Sequence, residues 1–307
     1  MSVIEVRHVT YSYGRVQALR DVDFTVPEGA FYALVGPNGS GKTTLLQLLG
    51  GMRRAQVGSL SIFGTDVASL SLEQRGQIGY LAEGQSLPGW MRLEQLEAFL
   101  APLYPSWDAA LAHDLRERFD LDPQRTIGTL SRGQHMKAAL LCTLAPRPKL
   151  LIMDEPFTGM DALVKDELVR GLLETSGSEG WTVLLCSHDI GELEALADWV
   201  AFLAAGRLEL SESMESLQAR YRHVTLVSPD PDGLRALAGS HEYLSVDRSG
   251  GHATFIAPAV HGDLAASLRQ EFPAATHVEV RNATLKELFV ALARRSSGAR
   301  GAKGVAA

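Results

Sequence analysis

Residues 31–49 read FYALVGPNGSGKTTLLQLL, and this stretch decides the fold. An apolar strand leads into a glycine-rich loop, and a leucine-rich helix follows it at once. The loop, Gly36-Pro37-Asn38-Gly39-Ser40-Gly41-Lys42-Thr43, matches the pattern G-x-x-x-x-G-K-[ST] in full. Strand, glycine loop and helix in this order form a phosphate-binding unit. The sequence therefore predicts that the loop from Gly36 to Thr44 holds the phosphates of a nucleoside triphosphate.

The residue types in this loop fit that chemistry. Glycines let backbone N–H groups turn inward around the phosphates, and the helix N-terminus adds a partial positive charge. Lys42 neutralises β and γ oxygens, and Thr43 offers its hydroxyl to Mg²⁺. The alternative is a glycine-rich turn with a purely structural role, which the complete motif and its flanks disfavour.

A second run, Leu150-Leu151-Ile152-Met153-Asp154-Glu155, is an apolar strand that ends in two carboxylates. A buried sheet does not tolerate such charges without a counter-ion, and Mg²⁺ supplies one. Asp154 then holds the metal, while Glu155 orients or deprotonates the water that attacks the γ-phosphate. The alternative is that both carboxylates only cap the strand end.

Residues 129–135, TLSRGQH, precede the apolar helix MKAALLCTLA, with Ser131 placed as its N-cap and Pro146 after its end. Free N–H groups at a helix start form an anion site. Any capped helix can begin this way. The position about twenty residues before Asp154 is what makes this segment a candidate.

The remaining pattern predicts an α/β protein: a P-loop NTPase core with a doubly wound parallel sheet, an N-terminal antiparallel β subdomain, a helical signature subdomain and a small C-terminal α+β domain. The predicted core strands are apolar at every position, as parallel strands covered on both faces are. These core strands are Leu150–Met153, Thr182–Cys186 and Val200–Ala204, whereas Ile4–Val9, Ala18–Val26 and Ala30–Val35 are expected to form a small, partly antiparallel sheet.

We expect the nucleotide-binding domain to span 1–219, with its helical subdomain at about 86–148 and a helical pattern from Leu93 to Asp120. Near residue 220 the pattern changes to β-α-β-β-α-β-α, which predicts an accessory domain at 220–297. The tail 298–307 has no apolar period and is predicted to be disordered.

Composition limits the function classes. The chain has 307 residues, 46% of them hydrophobic, with a formal charge of −7, so we expect no nucleic-acid partner. The N-terminus shows no secretory signal, and the most apolar run, 136–145, is too short to span a membrane. Cys142 and Cys186 lie in apolar runs without metal-ligand spacing and are interpreted as inert buried thiols.

Five motifs together resemble the ATP-binding cassette (ABC) ATPases. These are GPNGSGKTT, LSRGQ, LLIMDEP, TGMD at 158–161 and SHD at 187–189, in the order and spacing of that family. The resemblance covers residues 2 to about 210. Within the family, LYPSWD at 103–108 and the length after residue 210 resemble ATPase subunits of bacterial ABC-2-type exporters.

The resemblance implies a head-to-tail dimer around two Mg-ATP. Ser131, Gly133 and Gln134 of one copy close over the γ-phosphate held by Lys42 of the other copy. It also gives roles to three further residues: Tyr13 stacks on adenine, His188 contacts the γ-phosphate, and Asp161 lines the dimer seam. Tyr13 could instead be a turn aromatic, and His188 an ordinary strand-end histidine.

Three positions depart from the family pattern. The glutamine that usually reaches Mg²⁺ is replaced by Glu83, with Gln85 two residues later, and Glu83 is the predicted ligand. Arg132 stands where glycine is commoner and faces either nucleotide or solvent. TGMD replaces the commoner SGLD, which is a mild change.

The resemblance implies an ATPase subunit that powers a separate integral membrane permease, with export as the expected direction. It works as a homodimer or as a heterodimer with a paralogue, in the cytoplasm on the inner face of the cell membrane. The permease is expected to dock on the helices at Leu93–Phe119 and the loop Glu83–Met91, although Trp90 there could instead pack in the core. The alternatives are a mechanical switch on ribosomes or DNA and a regulatory ATPase.

Overall fold

A computed structural model describes residues 1–158, 160, 162, 165–166, 169–171, 180–187, 190–230, 234, 237, 243–259 and 263–301. The chain forms two compact units. The first comprises Met1–Asp189 and Leu196–Ser211, and the second comprises Ile190–Ala195 and Glu212–Ala307. The second unit thus begins at Glu212 rather than at the expected residue 220, and it includes a short helical segment from earlier in the chain.

The strands and helices are as follows. The strands are β1 (Ser2–Tyr13), β2 (Val16–Pro27), β3 (Phe31–Val35), β4 (Val57–Ile62), β5 (Thr65–Asp66), β6 (Ile78–Leu81), β7 (Leu150–Asp154), β8 (Thr182–Cys186), β9 (Trp199–Ala204), β10 (Arg207–Ser213), β11 (Tyr221–Val227), β12 (Leu244–Ser249), β13 (His252–Pro258) and β14 (His277–Asn282). The α-helices are α1 (Lys42–Leu49), α2 (Leu72–Gly76), α3 (Leu93–Leu100), α4 (Ala109–Arg118), α5 (Arg132–Leu144), α6 (Ile190–Leu196), α7 (Met214–Arg220), α8 (Leu264–Glu271) and α9 (Leu285–Gly301). Among the described residues, every helix is too short or too polar to cross a bilayer.

The core of the first unit is a six-stranded sheet in the order β10-β9-β3-β8-β7-β6. Every pair from β9 to β6 in this order is parallel. Strands β3, β7 and β8 are buried at every residue, which explains why their sequences are apolar without alternation. The predicted α/β core is confirmed. The expectation that Ala30–Val35 joins the antiparallel sheet is wrong, because β3 pairs in parallel with β8 and β9 at the centre of this core.

A second, antiparallel sheet of four strands in the order β2-β1-β4-β5 forms the N-terminal β subdomain. Its longer strands alternate buried and exposed residues, because one face of an antiparallel sheet packs on the core and the other meets solvent. The predicted β subdomain is therefore present, with strands β1 and β2 longer than the sequence pattern indicated.

The helical segment divides into α3 and α4, separated by the residues that read LYPSWD. The Asp108 carboxylate caps α4 by accepting the Leu111 N–H at 2.8 Å, and it also accepts from Arg147 Nε at 2.7 Å. These two donors, the Leu111 N–H first, lower the pKa of Asp108. Ser106 Oγ donates to the Pro146 carbonyl at 2.6 Å. The segment thus breaks the expected helix and fastens α4 to the end of α5.

The second unit contains a four-stranded antiparallel sheet in the order β12-β13-β11-β14, which is the strand order of a split β-α-β fold. Its core includes Val224, Leu226 and Phe255, which are almost completely buried. Helix α9 begins where the Leu285 N–H donates to Glu194 Oε1 of α6 at 3.0 Å, so α6 belongs to this unit.

Helix α9 continues to Gly301, although residues 298–307 are predicted to be disordered. Once a helix has formed, each added residue costs little, so α9 extends past the last apolar position. Residues 302–307 lie outside the described part of the chain.

The turn from β3 into α1 depends on two glycines. A Cβ atom on Gly36 would lie 2.1 Å from the Leu203 carbonyl oxygen of β9 and 2.8 Å from Ser40 Oγ. Gly41 has φ of 109° and would bring a Cβ within 2.6 Å of the Ala18 carbonyl oxygen. Only residues without a Cβ let the backbone pass this close to its neighbours.

We predict that Gly36→Ala destabilises the first unit by about 1–3 kcal/mol, because β3 or β9 must shift to relieve the overlap. Urea unfolding of the full chain measures the change. Gly76→Ala is the matched control, because a Cβ there meets nothing within 4 Å. Equal stability of the two variants would contradict the prediction.

We predict that Leu226→Ala destabilises the second unit by about 2–5 kcal/mol, because it leaves a cavity at a completely buried position. Hydrogen exchange of the β11 amides reports the loss locally. Val290→Ala, at a position that is 38% exposed, serves as the control and should change stability by less than about 0.5 kcal/mol. Unchanged protection of β11 in Leu226→Ala would refute the assigned core.

Candidate nucleotide-binding site

A cavity of about 570 Å³ opens at the carboxyl end of β3, beside the N-terminus of α1. Ligands of open α/β sheets bind at this edge, outside the carboxyl ends of the strands. The cavity brings together the glycine loop and residues far from it in the sequence. Its lining is Tyr13, Ala18, Asn38, Gly39, Gly41, Lys42, Thr43, Thr44, Glu83, Glu155 and Thr158.

The loop itself is arranged to receive an anion. Lys42 Nζ donates to the Gly36 carbonyl at 2.8 Å and to the Pro37 carbonyl at 3.4 Å, which leaves its third hydrogen for a ligand oxygen. No side chain caps α1, so its first N–H groups face the loop. Ser40 Oγ is buried without a hydrogen-bond partner among the described residues. These groups fit phosphate oxygens, which are acceptors only.

Asp154 lies at the end of β7 and is 2% exposed. The Cys186 thiol of β8 donates to Asp154 Oδ1 at 2.8 Å. Burial, followed by the nearby Asp154 carboxylate, raises the pKa of Cys186, so its sulfur keeps the proton that it donates. Cys186 is therefore a buried thiol as predicted, but it also orients a carboxylate. A buried carboxylate of this kind fits a hard cation such as Mg²⁺.

The backbone at Glu155 departs from the extended conformation of β7, and the residue lines the cavity. Its φ is 49°, in the left-handed region that few residues other than glycine adopt. This turn lets its N–H donate to the Cys186 carbonyl at 2.9 Å. Thr158 Oγ1 lies 3.3 Å from Glu155 Oε2 and donates to it. The carboxylate is thereby held at the cavity wall.

Glu83 and Gln85 differ in their surroundings. Glu83 lines the cavity with Lys42 and Thr43, whereas Gln85 does not. The Gln85 side-chain oxygen accepts the Ala82 N–H at 3.2 Å, which turns it back on its own loop. Of the two residues, Glu83 is therefore the one that lies at the glycine loop.

The signature residues lie apart from this cavity. Ser131 Oγ accepts the Gln134 N–H at 3.2 Å, and Gln134 Oε1 accepts the Ser131 N–H at 3.2 Å, which makes a capping box at the start of α5. A hydroxyl that accepts can still donate, so Ser131 can contact a phosphate without breaking the cap. Gly133 is half-buried and Ser131 is exposed.

Arg132 lines a second cavity of about 300 Å³ between α5 and the end of β7. Glu83, Gln85, Glu155 and Thr158 contribute to the same cavity. Arg132 is exposed to solvent at this cavity.

Tyr13 lines the phosphate cavity and is 41% exposed. Its hydroxyl lies 3.4 Å from Thr44 Oγ1 of α1. An aromatic side chain in this place, at the cavity mouth, can stack on a base. Asp161 and His188, which the sequence predicts at the dimer seam and at the γ-phosphate, lie outside the described residues.

Sequence reasoning missed three residues of the site. Thr158 supports Glu155, Cys186 supports Asp154, and Ala18 lines the cavity beside the loop. Thr158 stands three residues after Glu155, a spacing that could have indicated the contact. The other two depend on strand pairing, which no local pattern encodes.

The comparisons with known proteins agree with the family that the motifs indicate. The family model described as ABC transporter matches residues 19–158. The sulfate/thiosulfate import ATP-binding protein CysA of Methylococcus capsulatus is 34% identical over 215 residues, which is 67% of this chain and 62% of the relative. CysA of Escherichia coli K12 is 31% identical over 223 residues, covering 70% and 61%. The chain thus spans about three fifths of the length of these relatives.

Solved structures show the same fold. One titled as the ATP-binding subunit of an ABC transporter has a TM-score of 0.65 and 27% identity, covering 71% of this chain and 92% of the other. A dimeric ATP-binding cassette in a post-hydrolysis state, bound to ADP and Pi, has a TM-score of 0.61 and 24% identity, covering 69% and 98%. Taken with the motifs and with the cavity at the glycine loop, these similarities show that the chain belongs to the ATP-binding cassette family.

Proposed function

We propose that this chain binds Mg-ATP and hydrolyses it in a head-to-tail dimer, and that it thereby powers a separate membrane permease. The observation that carries the proposal is the cavity that places the phosphate loop, Glu83 and Glu155 side by side. A nucleotide-binding scaffold without turnover has no need of a carboxylate held at that wall.

The chain's own residues supply the binding steps. Lys42 donates to the β and γ oxygens, and the N–H groups at the start of α1 cradle the phosphates. Thr43, Asp154 and Glu83 would hold Mg²⁺, which would neutralise negative charge that develops on the phosphates. Tyr13 stacks on adenine at the cavity mouth.

Glu155 acts on the attacking water. Its carboxylate orients the water in line with the γ-phosphate and accepts its proton as the new P–O bond forms and the bond to the β-phosphate oxygen breaks. The hydrogen bond from Thr158 steadies the carboxylate during this step. His188 is proposed to steady the same water, on the family resemblance alone.

The second half of the site comes from a partner copy. Ser131 is exposed and lies outside the phosphate cavity of its own chain. Closure of Ser131, Gly133 and Gln134 over the γ-phosphate of another molecule completes the site, with Asp161 at the seam. The partner is a second copy or a paralogue, and hydrolysis reopens the dimer.

The helical subdomain offers the surface for the permease. Trp90 is 78% exposed, which excludes the core-packing alternative, and Phe99 and Leu103 are 57% and 61% exposed. Large apolar side chains that stay in solvent favour a protein interface. Binding there would place the chain on the cytoplasmic face of the membrane.

We propose a direction of transport for this chain, which is export, but no cargo. Export rests on the resemblance of LYPSWD to ABC-2-type exporters, and in this structure those residues serve to cap and fasten α4. The relatives named above are import proteins, so they lend export no support. Sulfate or thiosulfate is a cargo of those relatives, and cargo choice in such systems belongs to the permease.

We predict that Glu155→Gln lowers phosphate release from ATP by about 10²- to 10⁴-fold, because the water loses its base, and traps an ATP-bound dimer. Malachite-green assay and size-exclusion chromatography measure the two effects. Glu73→Gln, at an exposed position of α2, is the control and keeps wild-type turnover. Turnover in Glu155→Gln equal to that of the control would remove Glu155 from the mechanism.

We predict that the chain co-purifies from detergent extracts with a multi-spanning membrane protein, and that Trp90→Ala reduces the recovery. Mass spectrometry of the captured proteins provides the measurement. Leu72→Ala, which removes a side chain that is 89% exposed on α2, should leave recovery unchanged. Capture of ribosomal proteins or nucleic acid alone would support the mechanical-switch alternative.

A further inference from the structure

Arg53 follows helix α1 and lies outside the motifs that form the phosphate site. Helix α1 ends at Leu49, and the Gly50 N–H and Met52 N–H donate to carbonyls of α1 at 2.8 and 2.9 Å. Gly51, with φ of 70°, reverses the chain between them. This turn carries Arg53 back beside the helix, where its Nε donates to Gln47 Oε1 at 2.6 Å.

The guanidinium of Arg53 covers the ring of Tyr13. Its central carbon lies 4.8 Å from the Tyr13 ring centroid, within the range of a cation–π contact. One of its N–H groups also donates to the Tyr11 hydroxyl at 3.3 Å, and the hydrogen bond to Tyr11 raises the pKa of Arg53. The cation is therefore fixed by α1 on one side and by strand β1 on the other.

The Tyr13 ring is held by two further contacts. The Tyr11 ring stands edge-on to it, with centroids 5.0 Å apart and an interplanar angle of 75°. The Tyr13 hydroxyl lies 3.4 Å from Thr44 Oγ1. Between the two tyrosines, both backbone groups of Ser12 pair with the side-chain amide of Gln56, at 2.8 and 3.0 Å. The turn after α1 thus fastens the end of β1 to the phosphate loop.

We propose that Arg53 is a positioning residue, which holds the Tyr13 ring in the orientation that stacks on the base of the nucleotide. The proposal rests on the proposed function, because it assumes that a nucleoside phosphate occupies the cavity that Tyr13 lines. Restricting an exposed aromatic ring before the ligand arrives lowers the entropy lost on binding. The effect concerns the base only, because Arg53 does not line the phosphate cavity.

The test compares two ligands that share a diphosphate. ADP carries a base and inorganic pyrophosphate does not, so calorimetric titration of each, with Mg²⁺, separates base stacking from phosphate binding. In the full chain, Arg53→Ala is expected to weaken ADP binding about 3- to 10-fold and to leave pyrophosphate binding unchanged. Arg53→Lys keeps a cation near the ring, so its affinity for ADP is expected to lie between those of the wild type and Arg53→Ala.

Two reference variants frame the result. Arg54→Ala removes an exposed neighbouring charge and should bind both ligands as the wild type does. Tyr13→Ala removes the ring itself and should weaken ADP binding at least as much as Arg53→Ala, again without an effect on pyrophosphate.

Several outcomes would overturn the proposal. If Tyr13→Ala weakens ADP binding and Arg53→Ala does not, the proposed function stands and Arg53 has no positioning role. If Arg53→Ala weakens ADP and pyrophosphate equally, the residue supports the loop rather than the ring. Tighter ADP binding would mean that the guanidinium competes with the base. A wild-type chain that binds neither ligand would remove the proposed function as well.

Discussion

Parallel pairing of β3, β8 and β7 is the constraint on which the rest of the site depends. Cys186 of β8 is level with Leu34 of β3 on one side and with Asp154 of β7 on the other. Neighbouring strands lie about 4.8 Å apart, so this register sets the Asp154 carboxylate about two strand spacings from the start of the glycine loop. A slip of one residue would turn Asp154 to the opposite face of the sheet.

The same pairing explains why the loop begins with Gly36. Strand β9 lies beside β3, and its Leu203 carbonyl points at the first turn of the loop. A backbone can pass this close to a carbonyl, but a side chain cannot. The side of the loop that packs on the sheet is therefore restricted by β9, while the other side lines the cavity that would hold phosphate. Its glycines meet the demands of the sheet as well as those of the ligand.

Hydrogen bonds from neighbouring elements set the two carboxylates. The Cys186 thiol holds Asp154, and Thr158 holds Glu155, whose positive φ turns it into the cavity. The end of β7 sets the position of the two carboxylates, and these hydrogen bonds set their orientation. Tyr13, which also lines the cavity, is held by contacts with Arg53, Tyr11 and Thr44. Asp154 and Tyr13 thus depend on Cys186, Arg53 and Tyr11, which lie outside the motifs.

The phosphate loop, the apolar core strands and the carboxylates at the end of β7 could be predicted from the sequence alone, because each leaves a local pattern of residue types. The change of pattern near residue 220 indicated a second unit, but not its start at Glu212 or its inclusion of Ile190–Ala195. The sequence did not determine the break at residues 101–108, the capping of α9 by Glu194, or the contacts of Cys186 and Arg53. Those depend on residues far apart in the chain, and only the paired strands and packed helices bring them together. The choice between Glu83 and Gln85 is of the same kind. Two neighbouring polar residues look alike in sequence, and the fold distinguishes them because one lines the cavity and the other bonds back to its own loop.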